Sequence, residues 1–93
     1  MAGNYGDSWR FVPDYEKLGE RLEAARNSYG LSREKVVDIL YEIGIKATTQ
    51  SIWNWEKAKK HITLEHLFVL ACIYDVEVSY LLTGLDNYVP GRK

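Results

Sequence analysis

Apolar residues recur along the chain at steps of three and four, which is the spacing of one face of an α-helix. In the first predicted helix, which opens near Pro13, they are Tyr15, Leu18, Leu22, Ala25 and Tyr29. No alternating run bounded by turn residues is present, so the pattern predicts no strand. Five helices account for the spacing, and the sequence therefore predicts an all-α domain.

Short polar residues and glycines mark where the predicted helices begin and end. Ser32, Thr48 and Thr63 stand where a side-chain oxygen can cap the first turn of helices two, three and four. Gly30 and Gly44 follow helices one and two, where a residue with positive φ closes the last turn. The limits of the first four helices are therefore predicted from local signals.

The predicted core draws on side chains from the middle of the chain. Helices two and three are expected to bury Val36, Ile39, Leu40, Ile43, Ile52 and Trp55. The fourth helix, Leu64 to Tyr74, is apolar on nearly every side, and such a helix is expected at the centre, surrounded by others. Asp75 closes it, and a short fifth helix is expected at about Val78 to Thr83. Cys72, the single cysteine, is expected to be a small buried thiol.

Three segments are predicted: an aromatic N-terminal extension at 1–12, a folded domain at 13–84 and a C-terminal tail at 85–93. The first residues contain no apolar stretch typical of a signal peptide. The longest strongly apolar stretch, 67–74, is too short to cross a membrane. With one cysteine and no internal disulfide, the chain is expected to be soluble and cytoplasmic, in a prokaryotic cell or a phage-infected host.

Enzymatic chemistry finds no support in the sequence. His61 and His66 are five apart, and no serine or cysteine is placed by spacing to form a nucleophile–base pair. One cysteine and two poorly spaced histidines match no common metal-ligand pattern. The glycines form no phosphate-cradling loop. We therefore expect a non-enzymatic protein with no catalytic residue, no metal and no small-molecule cofactor.

The positive charge is concentrated in a short part of the chain. The net charge of −1 is lower than is usual for a nucleic-acid binder. Between Lys46 and His61, however, four lysines face a single acid, Glu56. A phosphate backbone responds to such a local field. The distribution of charge therefore favours nucleic-acid binding more than the total does.

Amide side chains lie within the same basic segment, on the predicted third helix. Gln50 and Asn54 are four apart and share a face. An amide offers a donor and an acceptor side by side and can pair bidentately with adenine in the major groove. Thr49, at the start of the helix, can contact a thymine methyl group or a phosphate. The same polar face also occurs on ordinary surface helices.

The order of the motifs resembles the Cro/repressor-type helix-turn-helix family, also called XRE. The matching segments are Gly-Leu-Ser-Arg (30–33), Gly-Ile (44–45), Ala-Thr-Thr-Gln-Ser-Ile (47–52), Trp-Glu (55–56), the basic loop and capped helix at 57–67, and Asp-Val-Glu-Val-Ser-Tyr-Leu-Leu-Thr-Gly (75–84). Together they cover roughly residues 15 to 84. The resemblance implies a five-helix lambda-repressor-like fold whose third helix enters the major groove of double-stranded DNA.

The resemblance also implies roles for individual residues. The base-reading positions are occupied by Thr49, Gln50, Trp53 and Asn54, with Trp53 at an exposed site. Phosphate contacts are expected from Arg33, Lys46, Thr48, Ser51, Lys57, Lys59 and Lys60. Arg26 and Glu56 match an ion pair that ties helix one to the end of helix three.

Two departures from the family pattern affect these expectations. A surplus of five residues falls between helices two and three, within Val36 to Ala47, which predicts a longer helix two or a wider turn. Ala58 stands where a glycine is usual. Alanine at positive φ costs about 1 kcal/mol, so the loop is expected to differ locally there.

The function that follows is a sequence-specific transcriptional regulator that binds a two-fold related operator as a homodimer. A repressor of phage, mobile-element or autoregulated-operon type is the leading expectation. Helix five with Tyr80, together with Trp9, Phe11 and Tyr88, is the candidate dimer contact. The alternative is an antitoxin-like or protein-interaction module that binds little or no DNA, which the near-neutral charge and Trp53 favour.

Overall fold

Five α-helices form the part of the protein that the structure, a computed structural model, describes, namely residues 13–84. They are α1 (Tyr15–Ser28), α2 (Arg33–Glu42), α3 (Thr49–Glu56), α4 (Leu64–Tyr74) and α5 (Val78–Thr83). No strand occurs within residues 13–84. The predicted all-α architecture is confirmed. The N-terminal extension and the C-terminal tail, with the aromatic residues Trp9, Phe11 and Tyr88, lie outside the described residues.

The helix starts follow the predicted capping residues. The hydroxyls of Ser32, Thr48 and Thr63 each accept a hydrogen bond from the backbone N–H three residues on, at 3.1, 3.1 and 3.2 Å. Asp14 caps α1 in the same way, at 3.1 Å. Each bond satisfies a donor that the first helical turn leaves unpaired. Local side chains therefore fix where α1 to α4 begin.

The core lies between α1 and the other helices. Its buried apolar side chains are Leu18, Leu22, Ala25, Val36, Leu40, Ile52, Leu67, Leu70, Ala71, Tyr74 and Leu81. Backbone segments of α1 approach both α3 and α5, and α2 packs on α3. Thus α1 is the helix that contacts both α3 and α5. This arrangement holds the short helices α3 and α5 in place although neither is long enough to be stable alone.

The prediction that α4 is a central, surrounded helix is wrong. Only one side of α4 enters the core, through Leu67, Leu70, Ala71 and Tyr74. On the other side Leu64 is 75% exposed and Phe68 is 60% exposed. Cys72 on the same side is also exposed, so the expectation of a buried thiol is wrong as well. Within residues 13–84, the neighbouring helices leave part of the apolar surface of α4 uncovered.

The connection between α2 and α3, residues 43–48, is tied to the core at two points. Ile45 and Ala47 are half-buried against it. Ile43 was expected to face inward but is 56% exposed, because it lies beyond the last turn of α2 as its C-cap. The segment that carries the predicted surplus therefore includes the end of α2 and a loop that packs on the domain.

Ala58 adopts the backbone conformation that glycine normally supplies. Its φ is +58°, and it follows Lys57, the C-cap of α3. The N–H of Lys59 donates to the carbonyl of Asn54 at 2.8 Å, and that of Ala58 to the carbonyl of Trp55 at 3.3 Å. These two bonds define the Schellman ending of a helix. The expectation that the loop differs locally is wrong: the loop keeps the turn, with alanine in the left-handed position.

Replacing Ala58 with glycine should therefore stabilise the domain by about 1 kcal/mol, since the left-handed conformation disfavours a Cβ. Urea denaturation of the wild type and Ala58→Gly measures the difference. Ala24→Gly, at an exposed position inside α1, is the matched control and should lose about 0.5–1 kcal/mol. If Ala58→Gly and Ala24→Gly lower the free energy of unfolding equally, the left-handed backbone of Ala58 is not strained.

Candidate nucleic-acid interface

The polar face of α3 is directed to solvent. Thr49 and Gln50 are exposed, and Asn54 is half-buried. The Nε2 of Gln50 donates a hydrogen bond to the Oδ1 of Asn54 at 3.1 Å. The structure thus brings together three of the four sequence-predicted base-reading residues on one accessible surface. A helix of this diameter with short polar side chains fits the width of the DNA major groove.

The fourth of these residues, Trp53, is less accessible than expected. It is half-buried rather than exposed. With Thr49 and Gln50 it lines a shallow groove whose other wall is the start of α2, at Ser32, Arg33 and Glu34. Its ring is therefore a wall of the groove between two helices rather than a free aromatic anchor.

Thr48 and Ser51 bond to each other at the start of α3. Their hydroxyl oxygens are 3.1 Å apart, the Ser51 N–H donates to Thr48 Oγ1 at 3.1 Å and the Thr48 N–H donates to Ser51 Oγ at 3.4 Å. The two side chains form a capping box in which serine takes the place usual for glutamate. A phosphate at this helix start would meet hydroxyls that already hold the first turn.

The lysines predicted to contact phosphate fall into two groups. Lys46, Lys59 and Lys60 are exposed, and none of them forms an ion pair within residues 13–84. Lys57 is exposed too, but its Nζ lies 3.0 Å from the Oε1 of Glu23 on α1. Three of the four lysines are thus available to an anion without breaking a bond.

Arg26 and Glu56 form a buried bidentate ion pair between α1 and the end of α3. The Nε of Arg26 donates to Glu56 Oε2 at 2.6 Å and its Nη2 to Oε1 at 3.2 Å. The remaining Nη1 donates to the carbonyl of Leu31 at 2.8 Å, just before α2. Only 1% of the Glu56 side chain is exposed. One arginine therefore connects α1, the turn before α2 and α3.

Arg33 belongs to the same group of charges. Its Nε donates to Glu56 Oε1 at 2.9 Å, and its Nη2 donates to Glu23 Oε2 at 3.3 Å. With Lys57 on Glu23, these contacts define a charge cluster of three cations (Arg26, Arg33, Lys57) and two carboxylates (Glu23, Glu56). Two of its nitrogens are engaged, which leaves Nη1 as the nitrogen of Arg33 that could hold a phosphate without breaking these bonds. Glu23 is a participant that the sequence reasoning missed.

The surroundings of the charge cluster shift the pKa values of its members. The hydrogen bond to Glu56 raises the pKa of Arg26, so this arginine stays charged at any relevant pH. Burial, and then the Glu56 charge, raise the pKa of the Tyr74 phenol. The Tyr74 hydroxyl is buried and has no hydrogen-bond partner within residues 13–84. Both shifts favour one charge state, a cationic Arg26 beside a neutral Tyr74.

Glu23 should make stability depend on pH in acid. The hydrogen bond from Lys57 lowers the pKa of Glu23 below 4.5, against the opposing effect of burial. A lowered folded-state pKa gives stability that is present above the unfolded value and is lost as pH falls through the folded value. We expect Glu23→Gln to reduce the free energy of unfolding by up to about 1 kcal/mol at neutral pH.

That difference should shrink as pH falls below 4.5 and vanish below the folded pKa. Urea denaturation of the wild type and Glu23→Gln in a series of acidic buffers measures it. Glu20→Gln, on the exposed side of α1, is the control and should show little difference at any pH. If the difference in the free energy of unfolding between the wild type and Glu23→Gln stays constant through the series, the Glu23 carboxylate does not contribute to the charge cluster.

Metal binding, membrane crossing and the two histidines can be compared with the sequence expectations within residues 13–84. No group of three His, Cys, Asp or Glu side chains within residues 13–84 could hold a metal ion. In the same range, no helix is long and apolar enough to span a membrane. His61 is exposed and stacks on Tyr15 with ring centroids 3.6 Å apart. His66 bonds Thr63 at 2.7 Å and lies against Trp55, so both histidines have structural partners.

The order of the helices, with α2 and α3 packed together and α3 open to solvent, is that of an all-α, five-helix helix-turn-helix domain. Two solved structures share this fold with the chain. The DNA-binding domain of S. venezulae BldD is 28% identical with a TM-score of 0.60, over 73% of this chain and 94% of that one. A crystal structure of the DNA-binding domain of BldD is 29% identical with a TM-score of 0.61, over 77% and 99%. No protein-family profile and no curated protein matches the sequence.

Proposed function

We propose that this protein is a sequence-specific regulator that binds double-stranded DNA through α3. The observation that carries the proposal is the exposed face of α3. It presents Thr49, Gln50 and Asn54 between Lys46, Lys59 and Lys60, three exposed lysines that form no ion pair within residues 13–84. Amides supply base contacts and lysines supply phosphate contacts, which are the two parts of specific DNA recognition. The similarity to two structures described as DNA-binding domains supports the same function.

The finer proposal is a repressor of phage, mobile-element or autoregulated-operon type that binds as a homodimer. One helix with three exposed lysines makes few phosphate contacts, which is too little for tight specific binding by a monomer. A two-fold dimer doubles those contacts and reads two half-sites about one helical turn apart. Arg33 and Lys57 add to the phosphate set if DNA draws them from Glu23. Selecting bound sites from random duplexes would give the operator, and a palindrome would report the dimer.

Substitutions at Gln50 and Lys59 should separate base reading from phosphate binding. Gln50→Ala should lose about 1–3 kcal/mol on the selected site and relax preference at one base position. Lys59→Ala should weaken binding to all sequences alike and reduce the slope of log affinity against log salt by about 1. Fluorescence anisotropy over a salt series, with cognate and scrambled duplexes, gives both quantities.

Asn27→Ala and Lys17→Ala are the matched controls, since both residues are exposed on α1 and should leave affinity unchanged. If Gln50→Ala and Lys59→Ala act equally on every sequence, α3 does not read bases. If no duplex is retained at low salt, the protein-interaction alternative replaces DNA binding.

A further inference from the structure

The exposed side of α4 is an apolar surface that no described helix covers. Leu64, Phe68 and Cys72 follow each other at steps of four, so they form one ridge about 12 Å long. The first two are 75% and 60% exposed. Glu65 is the single Asp, Glu, Lys or Arg residue in the helix. Exposed apolar side chains that lie next to each other are typical of a contact site. We call these three residues the α4 ridge.

Opposite charges flank the two ends of the α4 ridge. Lys59 and Lys60 precede the helix and are exposed. Asp75 and Glu77 follow it and are exposed as well. A surface with a basic end, an apolar centre and an acidic end is complementary to a second copy of itself turned by 180°. Opposed helix dipoles favour the same antiparallel arrangement.

We propose that a second copy of this chain docks on the α4 ridge, with the two α4 helices antiparallel and Phe68 at the two-fold axis. This pairing places Leu64 of one copy against Cys72 of the other. It places the basic segment before α4 near the partner's acidic end, and it gives the isologous contact that a two-fold dimer requires. This dimer surface rests on the proposed function, because a two-fold dimer serves DNA binding, and it adds to that function the surface through which the dimer forms.

The structure favours α4 over α5 for this contact. Tyr80 on α5 is half-buried against the domain's own core, whereas the α4 ridge is open. Three side chains with their charged flanks bury less than the roughly 800 Å² per partner of a standard interface. The dimer should therefore be weak in isolation and should form with DNA, where two half-sites hold both copies.

Sedimentation equilibrium of the full chain over a wide concentration range tests the contact without DNA. The wild type should show a reversible monomer–dimer equilibrium. Phe68→Glu should weaken it at least about 10-fold, because it puts two carboxylates at the axis. Tyr41→Glu replaces an aromatic side chain of similar exposure (74%) on α2 and should leave it unchanged. Thermal melting of each variant checks that it is folded.

Cross-linking supplies a second measurement that locates the axis. In a Cys72→Ser background, Phe68→Cys should form a disulfide-linked dimer under mild oxidation, because each copy meets the same residue of the other. Tyr41→Cys in that background should not. A wild type that stays monomeric at every concentration, or dimers that Phe68→Glu leaves intact, would overturn the proposal. Dimers without duplex binding would overturn the DNA function while leaving the interface.

Discussion

Replacing Glu56 with glutamine should lower the free energy of unfolding by about 3–5 kcal/mol, the range for breaking one partner out of a buried ion pair. Glu56 accepts hydrogen bonds from both Arg26 and Arg33. Without its charge, Arg26 remains as a buried, almost unpaired cation, since Glu23 is 3.9 Å away. The whole free energy of unfolding of a small domain is about 5–15 kcal/mol, so this loss would be a large part of it. Urea denaturation, followed by circular dichroism, measures the loss.

Glu42→Gln is the matched control, because Glu42 ends α2 in an exposed position and should change stability by less than about 0.5 kcal/mol. Arg26→Ala should be similarly severe and should also weaken duplex binding, because α3 loses its attachment to α1. An Arg26 variant whose melting matches that of the wild type would show that the pair contributes nothing to folding.

Gly19→Ala should be the second large effect, destabilising the domain by about 1–3 kcal/mol. Gly19 is buried in the middle of α1. A Cβ there would lie 2.8 Å from the carbonyl oxygen of Trp55 and closer still to that of Glu56. These are backbone atoms at the end of α3, so α1 and α3 would have to move apart. Helix propensity alone would favour alanine by about 1 kcal/mol.

The sign of this change decides between the two effects. Glu20→Ala, one residue along and exposed, is the control and should alter stability by less than about 0.5 kcal/mol. If Gly19→Ala raises the melting temperature, the close approach of α1 to α3 is not as tight as described. If Gly19→Ala lowers the melting temperature and also weakens duplex binding, the crossing of α1 and α3 sets the position of α3.

The features that sequence predicted well are those that depend on neighbouring residues. Ser32, Thr48 and Thr63 cap their helices because a hydroxyl reaches the N–H three residues on. Apolar spacing likewise located Val36, Leu40 and Ile52, each 0% exposed. Both signals are contained within one or two helical turns, so a linear pattern is sufficient to find them.

What the sequence could not show is how the helices meet. Composition makes α4 the most apolar helix, but it does not say which sides have neighbours, and Phe68 remains exposed. In the sequence, Gly19 is simply a glycine that weakens a predicted helix. Its close contact with the end of α3 becomes visible only in the structure. Glu23 lies 34 residues from Lys57, so no local spacing connects them. Each of these features arises from tertiary packing.

The family resemblance located α3 and its polar residues, but not their bonding state. Arg33 was expected at a phosphate, and in the structure it lies against Glu56 and Glu23. Ala58 was expected to avoid positive φ and does not, because the two hydrogen bonds that end α3 depend on that conformation. A motif specifies positions along the chain, whereas the partners of a charged side chain depend on every helix around it.

The hydrogen bond from Gln50 to Asn54 has a consequence for the precision of base recognition. An amide nitrogen carries two hydrogens, and Asn54 takes one of those on Gln50. The other hydrogen and the Oε1 remain, and they are the donor and acceptor that adenine pairs with. Under the proposed function, this bond would hold the Gln50 amide plane before DNA arrives, so less rotamer entropy would be lost on binding. Asn54 would then support the contact between Gln50 and the base in addition to any contact of its own.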